Sequence, residues 1–336
     1  MLTSLGLILP LVVILIAAEV FTNALEHLGA RLKISEGVTG SLFAAVATAL
    51  PETTVPLLAL FAGTSNQHVN EEIGVGAILG APLMLSTLTM SLLGVATVRK
   101  RGAQGRFTPE KSGLTRDLNF FLLAFFLSAV ALYVPHDYTT LRAAIGALLV
   151  LIYFVYLMLT LRASKRLVQD GHGTKAHDPM LLNRAGLPDT LFIILLQLGM
   201  GLALLIAGAK GFIYGVEQTS HLLGISALTL SLLIIPVATE LPEKVNSILW
   251  IRKHKDTLAF GNVTGAMVFQ GTLLPAIGIM LTPWEPRHEV AFGILITVLG
   301  ALWLRLQLQR GHLHVWHVAV NGGLYAVYLT AMLVWR

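Results

Sequence analysis

No cysteine occurs in the 336 residues, so a small secreted domain held by disulfides is excluded. Charged residues are also scarce, at 12%. A soluble domain carries about 25%, because water must wet its surface, and half that supply cannot cover a chain of 36.2 kDa. Disordered and nucleic-acid-binding classes, which depend on abundant charge, fall with it. There is no H-E-x-x-H, P-loop, G-x-S-x-G or dinucleotide fingerprint. A membrane enzyme using paired glutamates as acid and base is left without a nucleophile or a metal motif. No enzyme activity and no cofactor are expected. Energy for any transport has to come from an ion gradient or a partner.

What is present is apolar: 55% of the residues, with a mean hydropathy of +0.75. A bilayer core about 30 Å thick asks for roughly 20 apolar residues per helix. Ten stretches qualify, at 5–28, 37–62, 73–98, 118–134, 141–161, 190–214, 223–249, 258–282, 289–304 and 314–335. The first has no basic residue ahead of it and no small-residue cleavage site, so it is expected to persist as a helix rather than be removed as a signal peptide. The fourth and ninth are the shortest. The fold expected is an all-α polytopic membrane protein of ten transmembrane helices.

Orientation follows from lysine and arginine in the short loops. Alternate loops hold 18 of the 23 basic residues, at 31–33, 99–116, 162–184, 252–255 and 305–310. The opposite side holds Arg142, Arg287 and Arg336, while Lys210 and Lys244 lie inside spans. This split puts both termini outside and the loop at 162–189 in the cytoplasm. That loop is polar, has no apolar periodicity and is too short to fold alone. It divides the chain into residues 1–161 and 190–336, five helices each. An odd number per half requires similar halves to be inverted relative to one another.

The halves are similar. "FAAVATALPETTVPLLALF" (43–61) aligns with "LIIPVATELPEKVNSILWI" (233–251) at a shift of about 190 positions, pairing Thr48 with Thr239, Pro51 with Pro242 and Glu52 with Glu243. The same shift sets Glu19 opposite Lys210. A second block pairs Gly76 with Gly261 and Gly80 with Gly265. Each repeat thus has a proline inside an apolar span with a glutamate after it. Proline removes one helical hydrogen bond and clashes with the preceding turn, so helices 2 and 7 are expected to be broken. The freed carbonyls must find partners within the bilayer, either a bound cation or a threonine hydroxyl folded back on the backbone. An ionised glutamate at this depth costs at least about 2.5–3.5 kcal/mol, yet Glu52, Glu240 and Glu243 all stand beside the breaks. Carboxylates, hydroxyls and carbonyls are oxygen donors, suited to hard cations such as Ca²⁺ or Na⁺. The four glycines let neighbouring helices pack closely against the broken ones. Lys244 follows Glu240 by four residues, the favourable order for a helical ion pair. It is either a structural partner or a tethered cation that substrate displaces. Glu19 and Lys210 are expected to pair across helices, and "HLHVWH" at 312–317 to anchor an interfacial helix end.

The two segments resemble the paired α-repeats of the Na⁺/Ca²⁺ exchangers, in the cation/calcium antiporter superfamily. The family pattern is roughly A-x-G-T-S-x-P-E, followed by G-N-x-x-G-S-N-x-x-N/D. The chain looks like a divergent, prokaryotic-type member. The resemblance implies two inverted five-helix repeats and alternating access to a midplane cation site, with the first and sixth helices swinging past an eight-helix core. Carried over residue by residue, Glu52 and Glu243 match the two acidic ligands, Thr48 and Thr239 the motif threonines, and Ala45 the opening alanine. Pro51 and Pro242, Gly80 and Gly265, and Asn262 fall on supporting positions. The motif serine is Ala49 in one repeat and Glu240 in the other, the second opening alanine is Pro236, and the final amide or acid is Leu85 or Gln270. The first half therefore loses oxygen donors, while the second gains a carboxylate and keeps an amide. The resemblance implies an antiporter of Ca²⁺ or a related cation against Na⁺ or H⁺ in the plasma (inner) membrane. Its partners would be the lipid bilayer and the transported cations, with no nucleic acid and no partner protein. A monovalent cation/H⁺ antiporter that has lost Ca²⁺, or a non-transporting sensor on the same fold, are the alternatives.

Overall fold

The computed structural model describes residues 2–31, 44–168, 179–184, 186–311 and 313–334. The order begins with α1 (Leu2–Arg31), α2 (Ala44–Ala62) and α3 (Gln67–Met84). A π-helical turn (Leu85–Thr89) carries α3 directly into α4 (Met90–Arg101). Then come β1 (Arg106–Phe107), α5 (Lys111–Ala131), α6 (Thr139–Val168), the short α7 (Leu181–Arg184) and α8 (Leu191–Leu223). The chain closes with α9 (Ala227–Thr239), α10 (Leu241–Arg252), α11 (Asp256–Leu281), α12 (His288–Gln309), β2 (Leu313–His314) and α13 (Val315–Val334). Local chemistry sets many of the ends. Asn66 and Thr190 cap α3 and α8 through their side-chain oxygens, and Glu110 caps α5. Gly224, at φ 62°, ends α8 in the left-handed conformation that glycine adopts without strain.

Among the described residues seven helices are long and apolar enough to cross a membrane, the rod Gln67–Arg101 counting as one. Three shorter apolar segments, Gly6–Phe21, Glu52–Ala62 and Ala227–Val237, belong to α1, α2 and α9. The two weakest apolar stretches become the full helices α5 and α12, of 21 and 22 residues, because polar residues at their ends join the helical turns. Many large apolar side chains point outward, including Leu151, Phe154 and Met158 on α6 and Phe192, Leu195 and Met200 on α8. A lipid-facing surface needs such an exterior, whereas water would penalise it.

Of the two expected helix breaks, one is found. The chain leaves helical geometry at Glu240 (φ −93°, ψ 8°), between α9 and α10. By contrast α2 runs without interruption from Ala44 to Ala62, through Pro51. The repeat alignment gives a reason. Two prolines, Pro236 and Pro242, flank the α9–α10 junction, whereas the first repeat has Ala45 where the second has Pro236. The number of prolines is not what differs, since α2 also carries Pro56 five residues after Pro51 and stays helical. What differs is position, Pro236 standing six residues ahead of the motif proline and weakening the turn before it.

The loops gather at two ends. At one end Arg101 holds Asp256 by two hydrogen bonds of 2.7 and 2.8 Å. Asp256 also accepts from the Thr108 amide at 2.8 Å. β1 pairs antiparallel with β2, Arg106 opposite His314 and Phe107 opposite Leu313. Arg305 reaches Asn119, and Arg31 reaches Asp189. At the other end Arg287 bonds Glu72, and Arg142 donates to the carbonyls of Ile279, Thr282 and Pro283. These contacts keep to the two loop sets that lysine and arginine separate in the sequence.

α11 is the centre of the largest apolar cluster. The stacked Phe121 and Phe125 of α5 pack on it, their centroids 5.1 Å apart, and Gly271 admits the Phe121 ring where a Cβ would stand 2.7 Å from it. α1 and α8 form a separate antiparallel pair in which Gly201 backs onto Phe21, Gly208 onto Ile14 and Gly211 onto Pro10. That register corrects the expected Glu19–Lys210 pair. Lys210 is level with Pro10 and Leu11, about 12 Å along the axis from Glu19 at 1.5 Å per residue. Both side chains are exposed, and among the described residues no ion pair joins them.

Candidate cation site

The α9–α10 junction puts charge in the interior of an apolar bundle. Glu240 is 0% exposed, Thr239 1% and Lys244 5%. Three features of local sequence bring this about. Pro236 loosens the end of α9, Pro242 lies in the first turn of α10, and Glu240 takes the non-helical residue between them. The Glu240 amide still reaches the Pro236 carbonyl, but at 3.4 Å, while the Lys244 amide reaches the Glu240 carbonyl at 3.1 Å. The stretched first bond leaves the Pro236 carbonyl available, and the Lys244 ammonium donates to it at 2.8 Å. The same nitrogen lies 3.6 Å from Glu240 Oε2 and 2.8 Å from the Met84 sulfur of α3. The helical ion pair read from the sequence is therefore present, and it bridges the break.

The other candidates fall out as follows. Glu52 of α2 is buried, at 3% exposure. Thr239 donates its hydroxyl proton back to the Ile235 carbonyl at 3.1 Å, the local alternative to a cation, and its lone pairs remain as acceptors. Gln270 of α11 is buried at 2% exposure, and its Oε1 has no hydrogen-bond partner among the described residues. Asn262 donates to Ser247 Oγ at 3.0 Å, tying α11 to α10. The side chains of Ala45, Thr48, Pro51, Pro242 and Glu243 lie outside the described residues.

The glycines divide. A Cβ on Gly80 would stand 2.5 Å from the Leu232 carbonyl oxygen and 2.8 Å from Pro236 Cγ, and one on Gly76 would meet Ser231 Cβ at 2.6 Å. α3 thus lies directly against α9, as expected. In the second repeat the close approach is not seen. Among the described residues a Cβ on Gly265 would meet only the Tyr156 hydroxyl, at 3.7 Å, and one on Gly261 would meet none within 4 Å. The alignment matches α9 to residues near 36–48, most of which lie outside the described residues.

Beyond the charged junction, towards the end where Arg287 meets Glu72, a cavity of about 670 Å³ is lined by Ser226, Thr229, His288, Glu289 and Met332. An apolar cluster of Leu83, Ile296, Tyr328 and Met332, with Leu233 and Phe292 against it, lies between cavity and junction. The order of residues along α9 (Thr229, Leu233, Pro236) and along α13 (Met332, Tyr328, Tyr325) fixes this succession. Tyr325 is close enough to Glu240 to feel its charge.

The sequence model of one family, described as sodium/calcium exchanger protein, matches residues 2–162 and 193–334. The chain belongs to the sodium/calcium exchanger family. The exchanger is 26% identical to the inner membrane protein YrbG of Escherichia coli (strain K12), over 98% of this chain and 96% of that one. Among solved structures it superposes on the H⁺/Ca²⁺ exchanger CAX with a TM-score of 0.72 at 16% identity, covering 98% of this chain and 82% of the other. It superposes on the sodium-calcium exchanger NCX_Mj at 0.58 and 20%, covering 98% of each. Membership places the chain among membrane transporters rather than enzymes, and the superpositions establish a shared fold.

Several residues at the junction were not legible in the exchanger's sequence. Ser247 is fully buried, and its position four residues after Glu243 on an apolar helix was the available signal. Met84 and Tyr325 carried none, since each arrives from a distant helix. The π-helical turn after Met84 was also unannounced. Such turns are rare and frequently occur at functional sites.

Proposed function

We propose that this exchanger is a secondary active cation antiporter. It exchanges Ca²⁺ or a related cation for Na⁺ or H⁺ by alternating access at a midplane site. The observation that carries this reading is the carboxylate of Glu52, buried in the apolar helix α2, together with a second apolar helix interrupted at the buried Glu240. An ionised carboxylate at membrane depth costs at least about 2.5–3.5 kcal/mol, and a cation-binding role accounts for that cost. Glu243, Thr48, Thr239, Gln270 and the backbone at Ala45 complete the oxygen set that the family pattern assigns.

The chain is read as ten membrane helices in two inverted repeats, residues 1–161 and 190–336, joined by a cytoplasmic loop at 162–189, with both termini outside. The sorting of loop contacts into two ends supports the alternation, and the antiparallel α1–α8 pair supports inversion, since these are the first helices of the two halves. Full-length similarity to an inner membrane protein supports the same location here. The apolar cluster around Leu83 and Tyr328 is then an outer seal, and the cavity at Glu289 an outer vestibule.

One observation favours the monovalent alternative. Ca²⁺ takes six to eight oxygens, and here an ammonium already lies on the Pro236 carbonyl and near Glu240. The test is uptake of radiolabelled Ca²⁺ and Na⁺ into proteoliposomes under outward Na⁺ or H⁺ gradients. Gradient-driven uptake that Glu52→Gln abolishes is expected. Uptake of neither cation under either gradient would overturn antiport and leave a non-transporting sensor.

A further inference from the structure

The Glu240–Lys244 pair does more than close a helix break. Three oxygen or sulfur acceptors from three elements converge on one buried nitrogen: the Pro236 carbonyl of α9, the Glu240 carboxylate at the junction and the Met84 thioether of α3. The carbonyl and the carboxylate are the donor types that receive a hard cation at an interrupted membrane helix. We propose that the Lys244 ammonium is a resident occupant of one cation seat, covalently tethered, and that it cancels the charge of Glu240. The mobile cations then answer only to the remaining carboxylates.

The charge balance supports this. The family pattern has one glutamate per repeat, matched by Glu52 and Glu243, and a serine where this chain has Glu240. Glu240 alone would raise the count of carboxylates from two to three and call for one more mobile positive charge. Lys244, four residues on, returns the balance to that of a two-carboxylate site. The two departures from the pattern thus compensate each other. The ammonium also keeps a mobile ion off the Pro236 carbonyl, which biases the site towards a cation that needs few ligands. A seat filled in this way costs no translational entropy at each turnover, because its occupant never leaves.

The inference deepens the proposed antiporter site, yet equilibrium binding tests it without transport. The purified full-length chain in detergent is titrated with ²²Na⁺, and bound ions per chain are counted for wild type, Lys244→Met, Lys244→Arg and Glu240→Gln/Lys244→Met. Lys244→Met is expected to bind one additional Na⁺ per chain. The double variant and Lys244→Arg are expected to return to the wild-type count. Elution as a single monodisperse peak shows which variants are folded. If wild type binds no Na⁺ while Lys244→Met binds one, the seat is established and Na⁺ as an exchanged ion is the reading that fails. If folded Lys244→Met, or the double variant when the single does not fold, departs from these counts, Lys244 is a helix-pairing residue and the inference is overturned.

Discussion

Replacing Arg101 with methionine should be among the most damaging single changes outside the cation site. Its guanidinium and the Asp256 carboxylate are 8% and 4% exposed and meet through two short hydrogen bonds. A third bond, 2.8 Å to the Ile251 carbonyl, reaches the end of α10. The Phe107 ring lies 5.1 Å below the guanidinium. Removing one partner of a buried pair costs about 3–5 kcal/mol, because the other charge is stranded. Loss of the cation–π contact adds about 0.5–1 kcal/mol. Against this, Asp256 keeps the Thr108 amide and stands at the N-terminus of α11, whose dipole returns about 1 kcal/mol. The net is about 3–4 kcal/mol. At about 2 °C per kcal/mol for a chain of this size, the melting temperature should fall by about 6–8 °C. Tryptophan-fluorescence melting in detergent reads this directly. Arg101→Met/Asp256→Leu should recover at least half of the loss, since an apolar pair strands no charge. A drop below about 2 °C, or a double variant as unstable as the single, would refute the reasoning.

Three further outcomes follow from named contacts. Gly80→Ala forces a methyl into the Leu232 backbone and should cost about 1–3 kcal/mol and slow transport; melting and uptake assays beside wild type check it. Arg142, 3% exposed, serves as the C-terminal cap of α11 through the Ile279 and Thr282 carbonyls, so Arg142→Met should destabilise by at least about 2 kcal/mol, with faster hydrogen exchange at the end of α11. Burial works to raise the Glu110 carboxyl, but the amides of Gly113 and Ser112 outweigh it and hold the group below its ordinary value. A group lowered on folding stabilises fully above its unfolded value and loses that contribution as pH falls through the folded one. The wild-type advantage over Glu110→Gln in melting temperature should therefore be complete at neutral pH and shrink below about pH 4.5.

The parts of this architecture that were readable from sequence depend on coarse physical rules. Bilayer thickness sets a helix length, so seven of the ten apolar stretches coincide with described helices long and apolar enough to cross a membrane, while the other three fall on the shorter apolar segments of α1, α2 and α9. The cost of moving lysine and arginine across a membrane sorts the loops, and the contacts of Arg101, Arg287 and Arg142 respect that sorting. The Glu240–Lys244 pair was legible because it is local, four residues apart in the chain. What escaped depends on register between distant elements. Glu19 and Lys210 looked equivalent by alignment, yet antiparallel packing of α1 on α8 separates them. Pro51 and Pro242 are equivalent by alignment too, but the helix is interrupted only where Pro236 precedes the motif proline, whereas Pro56, which follows it, leaves α2 continuous. Tyr325, Met84 and the carbonyls around Arg142 come together through tertiary packing alone.

The π-helical turn at Leu85–Thr89 has a consequence for how one long rod can serve two neighbours. Gly80 and Gly94 are 14 residues apart, close to four turns, so in an unbroken α-helix they would lie within about 40° of each other. One extra residue in a turn rotates everything beyond it by about 100°. Gly80 accordingly backs onto α9, whereas Gly94 backs onto Val315 and Val318 of α13. A single-residue change of phase thus hands the rod from one partner helix to another halfway along. Deleting one residue there would turn Gly94 away from α13 while leaving every side chain in both segments the same.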